Sequence, residues 1–260
     1  MKRRKLFLLL ALGMNLCACA GLNSVLVTPP VEAPVVAGPS GNWRFALGSV
    51  PTHEYEFTDD ASERPPDLTH PEMEEATATR GIFLNVGYLP VERLQIGVDF
   101  HPFYLSLVEP KVKFQFLGRP GEGFQAALLG RVGFTSVQKD GDQNGNFGPG
   151  GYDWKGKTSG QSFSGGLSLG YYASPTVLIY VGGNYGAMKV KADLDHEESS
   201  DHLSPAAHYS VDDKGSLLSL GAGVLFGTQS LITVGYNYSE VDYEKTPTVF
   251  GHELVVSLDF

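Results

Sequence analysis

Ten segments of this chain alternate apolar and polar residues, from about residue 42 to the last residue. Apolar residues at every second position indicate β-strands, because successive side chains of a strand point to opposite faces. We therefore predict about ten antiparallel strands, with eight or twelve as alternatives because residues 101–111 fit either a strand or a loop. The apolar positions, segment by segment, are Trp43, Phe45 and Leu47; Ile82, Leu84, Val86 and Tyr88; Leu94, Ile96, Val98 and Phe100; Val112, Phe114 and Phe116; Phe124, Ala126, Leu128, Gly130, Val132 and Phe134; Phe163, Leu167, Leu169 and Tyr171; Val177, Ile179, Val181 and Tyr185; Leu218, Leu220, Ala222, Val224 and Phe226; Ile232, Val234, Tyr236 and Tyr238; and Leu254, Val256, Leu258 and Phe260.

Polar and charged residues of both signs occupy the alternate positions of the same segments. Such residues are poorly tolerated against lipid, but inside a narrow barrel opposite charges can pair. The pattern predicts an all-β fold, an antiparallel up-and-down transmembrane β-barrel with a plugged lumen. The residues predicted to face inward are Arg44, Asn85, Asp99, Lys113, Gln115, Arg131, Asn184, Asn237, Glu253 and Asp259.

The connections between the segments fall into two length classes. Four are short and rich in Gly, Pro and Ser, which is typical of tight turns. Three are long and polar. Short and long connections alternate along the chain, except that the third-to-fourth and ninth-to-tenth connections are short where long loops are expected. Short turns at one rim and long loops at the other are typical of an outer-membrane barrel. The predicted turns are residues 90–93, 118–123, 173–176 and 227–230, and the predicted loops are residues 51–78, 139–160 and 195–213.

Composition supports this fold and excludes other classes. The chain has 32 Gly, 12 Tyr and 15 Phe among 260 residues, and only 18% of its residues are charged. Its mean hydropathy is near zero, which excludes a helical membrane bundle, whereas the alternating strands of a barrel average to such a value. The formal net charge of −10 excludes a nucleic-acid-binding surface of the usual basic kind.

Residues 1–20 are predicted to be a cleaved export signal. A basic cluster at residues 2–5 precedes an apolar run at residues 6–16 that is too short to span a bilayer. Residues 16–19, Leu-Cys-Ala-Cys, resemble a bacterial lipoprotein lipobox, and this resemblance implies cleavage before Cys19 and lipid attachment to it. The alternative is cleavage by ordinary signal peptidase after residues 18–20, Ala-Cys-Ala. No Asp follows Cys19, which favours the outer membrane.

Two further domains follow the leader. Residues 21–41 carry four prolines between positions 28 and 41 and are predicted to be a Pro-rich, extended linker. Residues 42–260 are predicted to form the barrel.

The C-terminal sequence FGHELVVSLDF resembles the β-signal that ends bacterial outer-membrane β-barrels. In that family the motif is read by the barrel-assembly machinery, and the final aromatic residue matches Phe260. The match extends to Leu254, Val256 and Leu258, and it departs at His252 and in lacking a tyrosine two residues before the end. The resemblance implies a Gram-negative outer-membrane location, with outer-membrane lipid and the assembly machinery as partners.

Several polar clusters were considered as sites for chemistry. Residues 140–146 resemble the first half of an EF-hand calcium loop, but Gly151 stands where the bidentate Glu is needed. His208 and Ser210 resemble the His-x-Ser pair of lipid A deacylases, with Val211 in place of the following Asn and no orienting Glu downstream. The acidic and imidazole residues at 196–202 lack metal-ligand spacing. His53 with Asp59 or Asp60 lacks the spacing of an outer-membrane aspartyl-histidine protease.

These observations predict a non-enzymatic outer-membrane barrel of structural or surface-recognition type, with no catalytic, cofactor or metal site. Its external ligand cannot be read from the sequence. A small porin or specific channel is one alternative, and a membrane-embedded lipid or peptide hydrolase is another. A soluble lipocalin-like barrel would give the same alternation, but the terminal Phe260 and the asymmetric loops argue against it.

Overall fold

Eleven β-strands make up the described part of the computed structural model. The structure describes residues 22–27, 30–36, 41–57, 73–101, 108–143, 152–196, 207–227, 230–245 and 248–260. Within these ranges no helix has the length and apolar character needed to cross a bilayer. The strands are β1 (Leu22–Val27), β2 (Trp43–Phe57), β3 (Met73–Val91), β4 (Leu94–Phe100), β5 (Val108–Arg119), β6 (Glu122–Gln143), β7 (Tyr152–Ser174), β8 (Val177–His196), β9 (Ala207–Phe226), β10 (Leu231–Tyr243) and β11 (Val249–Asp259).

Strands β2 to β11 form a closed antiparallel barrel of ten strands. Each strand pairs with the next in sequence, and β11 pairs back to β2 through residues 257–259 and 46–48. Phe45 and Phe260 extend this closing contact, since the N–H of each donates to the C=O of the other at 3.3 and 2.8 Å. The predicted fold class is confirmed, and all ten predicted segments lie within strands of the wall except for Phe260, which follows the last residue of β11.

The two faces of the wall are those that the sequence pattern predicts. Outward-facing apolar residues are exposed, for example Phe45 at 53% and Leu220 at 49%, while Arg44 and Ser219 beside them are buried. All but one of the predicted inward-facing residues are buried, and the exception is Asp259 at the end of β11. Ala126, which the alternation places outside, is instead buried beside a register shift between β5 and β6.

The strands extend further than predicted at one rim of the barrel. The short connections follow the prediction, with turns at residues 92–93, 120–121 and 175–176. At the other rim β6 runs to Gln143 and β7 begins at Tyr152, so the predicted loops there were too long. Strand pairing is made by backbone groups and continues through polar sequence once the neighbouring strand is in place. We call this end the long-loop rim and the other the short-turn rim.

The exposed apolar belt predicts which substitutions block membrane insertion. Leu220 lies on this belt in β9, and Arg at such a position costs about 2–4 kcal/mol near the bilayer midplane. We expect Leu220→Arg to lower the yield of folded protein in lipid vesicles sharply. Ser210 is a matched control, because it lies on the same exposed face of β9 nearer the long-loop rim. Equal insertion of Leu220→Arg and Ser210→Arg would show that the belt does not face lipid.

Candidate functional site

Part of the predicted linker lies inside the barrel. Residues 30–36, which we call the luminal segment, are buried except for Glu32, which is half-buried. Before it, β1 pairs with residues 52–57 of β2, at the long-loop end of that strand. After it, the Gly41 N–H donates to the C=O of Leu89 at the short-turn end of β3, at 2.6 Å. The segment therefore runs through the lumen from the long-loop rim to the short-turn rim.

One side of the luminal segment is apolar and packs on an apolar part of the wall. Val31, Ala33 and Val35 alternate along the segment and are each at most 8% exposed. Because an extended chain points alternate side chains the same way, all three contact one face of the lumen. That face belongs to β7, β8, β9 and β10, and its residues are Tyr172, Leu178, Tyr180, Leu225 and Leu231.

Glycine makes room for this packing where the segment approaches the wall most closely. A Cβ atom on Gly182 would lie 2.8 Å from Cγ1 of Val31, and one on Gly221 would lie 2.9 Å from Cβ of Val31. Both distances are shorter than real carbon contacts, so larger residues at these two positions would displace the segment. The wall is thus shaped to accept Val31.

The opposite side of the segment carries one charge, and a basic part of the wall receives it. Glu32 Oε1 accepts from Lys111 Nζ at 2.9 Å and also from Nη2 of Arg131. Its second oxygen, Oε2, lies 3.4 Å from Lys113 Nζ. The three cationic side chains come from β5 and β6 and are each at most 8% exposed. We call Lys111, Lys113 and Arg131 the luminal cations.

A second carboxylate, on the wall itself, holds two of the luminal cations in place. Asp99 Oδ1 lies 3.0 Å from Lys111 Nζ, and Asp99 Oδ2 lies 3.6 Å from Arg131 Nη1. Asp99 is positioned in turn by Asn85, whose Nδ2 donates to it at 2.6 Å. Among the described residues, the carboxylates that pair directly with these cations are thus Asp99 of the wall and Glu32 of the segment.

Side-chain amides of the wall satisfy backbone groups of the segment. The Val31 N–H donates to Asn237 Oδ1 at 3.3 Å, and the Val36 N–H donates to Gln115 Oε1 at 2.8 Å. Asn184 Nδ2 donates to the carbonyl of Pro30 at 3.3 Å. Buried backbone groups need such partners because no water is available to them. The sequence predicts that these amides face inward but not that they bind another part of the chain.

The arrangement fixes residues 30–36 inside the lumen. The half-buried carboxylate of Glu32 is held by three buried cations, and loss of any one partner would leave buried charge uncompensated. Glu32 was missed by the sequence analysis. The signal that could have found it is the alternation at residues 31–35, Val-Glu-Ala-Pro-Val, a short version of the strand pattern.

The structure also places the residues that the sequence singled out. Leu254, Val256 and Leu258 face outward from β11, and Phe260 follows them at the short-turn rim, 61% exposed. Cys19 lies outside the described residues, as do Asp59, Asp60 and all residues at 144–151 and 197–206. The side chains at residues 139–143, His53 and His196 also lie outside the description.

The His208 and Ser210 pair does not assemble into a catalytic group. His208 Nδ1 lies 2.5 Å from Asp195 Oδ1, so the imidazole does have a carboxylate partner. Ser210 instead bonds to the carboxylate of Asp193, the residue opposite it on β8. Both His208 and Asp195 are more than half exposed on the outer face of the barrel. Among the described side chains, no group of three or more His, Cys, Asp and Glu residues could hold a metal ion.

Comparison with known proteins supports the fold. The family described as "Outer membrane protein beta-barrel domain" matches residues 93–260. No curated protein sequence matches the chain.

Solved structures give weaker similarities. The attachment invasion locus protein Ail of Yersinia pestis, solved in complex with the heparin analogue sucrose octasulfate, is 14% identical with a TM-score of 0.37, covering 85% of this chain and 99% of Ail. The outer membrane channel DcaP of Acinetobacter baumannii is 8% identical with a TM-score of 0.19, covering 86% of this chain and 99% of DcaP. Neither similarity carries information about function.

Proposed function

The chain belongs to the outer-membrane protein β-barrel domain family, and from this premise we propose that it is a closed, non-enzymatic barrel that works at the cell surface in a structural or recognition role. The observation that carries the proposal is the occupied lumen. Residues 30–36 fill the passage between the two rims, with apolar contacts on one side and the Glu32 ion pairs on the other. A barrel closed in this way offers its rim, rather than its interior, to the outside.

The two rims differ in what they can present. In outer-membrane barrels the short turns face the periplasm and the longer loops face the exterior. Strands β6 to β9 continue past the apolar belt toward the long-loop rim with polar side chains such as Lys189, Asp193 and His208. This extension is the surface that an external ligand would meet, because polar loops on a rigid scaffold are where binding usually occurs.

A small channel is the second candidate, and one observation favours it. The luminal segment is not a strand of the wall, so its departure would leave the ten-stranded barrel intact. A hydrolase is less well supported, because Ser210 and His208 bind separate carboxylates.

Conductance across a planar bilayer tests the closed lumen. We expect the full-length mature protein to give no conductance steps, because residues 30–36 occupy the passage. A variant without residues 22–36 should give steps, since the pairings between β2 and β11 do not involve them. The length-matched control replaces residues 58–72, which join β2 to β3, with a Gly-Ser turn and should stay silent. Steps from the unmodified protein would contradict the closed barrel and favour the channel.

We also propose roles for the two ends of the chain. Cys19 is proposed to carry a lipid, which is supported by the lipobox resemblance at residues 16–19. Residues Leu254, Val256, Leu258 and Phe260 are proposed to form the signal read by the assembly machinery. Their support is that they lie on the apolar outer side of the last strand. Phe260 has a competing structural role, because its backbone pairs with Phe45 at the closing contact.

A substitution of Phe260 distinguishes the role of its ring from the role of its backbone. Phe260→Ala keeps the two hydrogen bonds to Phe45 and removes an exposed ring, which costs at most about 2–3 kcal/mol of apolar burial in the membrane. We expect normal refolding in detergent but low abundance in the outer membrane of cells. Phe250→Ala is the matched control, because Phe250 is a similarly exposed ring at the other end of β11. Equal cellular abundance of the two variants would remove the assembly role of Phe260.

A further inference from the structure

The luminal cations have the properties of a binding site that is occupied by part of the same chain. We propose that Lys111, Lys113 and Arg131 form a carboxylate site, that Glu32 is its resident ligand, and that a small carboxylate from solution can take the place of the Glu32 side chain. This proposal concerns the interior of the barrel and does not depend on the role of the rim.

The site binds both oxygens of one carboxylate. Oε1 of Glu32 is shared by Lys111 and Arg131, and Oε2 faces Lys113 at 3.4 Å. Arg131 contacts only Oε1, and the two lysines act as point charges, one on each oxygen. The site therefore fits an anion that carries two neighbouring oxygen atoms.

Two of the three luminal cations have a partner on the wall besides Glu32. Lys111 and Arg131 are opposite each other in the register of β5 and β6, and both contact Asp99. Asp99 is held by Asn85 on β3. Removal of the Glu32 carboxylate therefore leaves Lys111 and Arg131 held by Asp99, with Lys113 beside them.

Two further carboxylates act on the luminal cations through space, Glu109 on Arg131 and Asp259 on Lys113. Glu109 lies 3.2 Å from His101, and Asp259 lies 2.7 Å from Arg44. Each of these carboxylates already has its own cationic or imidazole partner. Within the described residues, Nε of Arg131 has no hydrogen-bond partner, so the cluster has a donor to spare.

The carboxylate of Glu32 is also the accessible member of the cluster. Its side chain is 22% exposed, against 3% for Arg131. Glu32 is thus the most exposed of the four side chains, and a small anion can enter at its position once the Glu32 side chain is removed. The cations behind it are buried away from water, and the lower effective dielectric constant there strengthens their interaction with a bound anion.

Chemical rescue of a Glu32→Gly variant tests the site. The variant leaves a carboxylate-sized space, and its midpoint of thermal unfolding in detergent micelles should fall below that of the unmodified protein. Sodium acetate should restore most of the loss, whereas sodium chloride at equal ionic strength and neutral acetamide should not. Glu32→Gln is the matched control, because its amide fills the space and should prevent rescue.

A second substitution assigns the rescue to the cations. Adding Lys113→Gln to Glu32→Gly should abolish the effect of acetate. If Glu32→Gly does not refold, the variant without residues 22–36 replaces it and must show the same shift with acetate. Acetate that acts no better than chloride, or that stabilises the Glu32→Gln variant equally, overturns the proposal.

The direction of β1 supports a second inference, which concerns the amino terminus and does not depend on the carboxylate site. Leu22 is opposite Phe57 and Val27 is opposite Thr52, so the chain descends from the long-loop end of β2 into the lumen. Trp43 then begins β2 at the short-turn rim. We infer that the mature amino terminus is displayed on the long-loop side, opposite the start of the barrel wall. A lipid on Cys19, three residues before Leu22, would then enter the outer leaflet of the membrane.

Epitope accessibility on intact cells tests this topology, which rests on the proposed outward orientation of the long-loop rim. An epitope inserted after Gly21 should bind antibody without permeabilisation. One epitope within residues 144–151 reports the orientation of the long-loop rim, and one at Gly121 marks the short-turn rim. If the epitope after Gly21 is hidden while the one at 144–151 is accessible, the inference about the amino terminus is overturned and the proposed orientation of the rim stands. A hidden epitope at 144–151 overturns the proposed orientation.

Discussion

Closure of the sheet is the constraint on which the rest of the barrel depends. A strand in a bilayer has no water to satisfy its backbone groups, so each strand needs a partner on both sides. The closing contact between β2 and β11 is the shortest in the wall, with residues 46–48 opposite 257–259. The two hydrogen bonds between Phe45 and Phe260 lengthen it by one further pair. The last residue of the chain is therefore part of the closure itself.

The closed wall creates an interior with two different sides, and the luminal segment fits both. Three buried cations on β5 and β6 are held near one wall carboxylate, and buried charge without a partner is unfavourable. On β7 to β10 a cluster of inward side chains is apolar and would be exposed to water in an open lumen. An extended segment with Glu32 on one side and Val31, Ala33 and Val35 on the other satisfies both walls at once.

The wall could be predicted from the sequence because each of its strands repeats the same rule many times. Alternation identifies ten strands and also the faces of Arg131 and Asn237, since a strand has only two faces. The bounds at the long-loop rim could not be predicted. There the strands run on through polar residues such as those at 139–143, where pairing depends on the neighbouring backbone and not on an apolar pattern.

The luminal segment escaped prediction for a different reason. Its alternation covers only residues 31–35 and lies among prolines, so it resembles a linker. A second signal lies in the wall, where Tyr171 and Tyr172, and likewise Leu178 and Ile179, are apolar on both faces of their strands. Apolar residues on the inner face of a barrel predict an apolar object inside it. The partnership between Glu32 and Arg131 spans 99 residues, and no local pattern reports a contact of that range.

The path of the segment links its docking to the order of assembly. The segment is joined to β2, which is one of the two strands at the closing contact. If the wall closed first, residues 22–36 would have to thread through a narrow lumen that is already closed. If they dock first, Glu32 meets the cations of β5 and β6 while the sheet is still open on the side of β2. In that order the ion pairs would hold the chain that leads into β2 inside the curved sheet, on the side where β2 pairs with β11. The same contacts that fill the lumen therefore favour the closure that makes it a lumen.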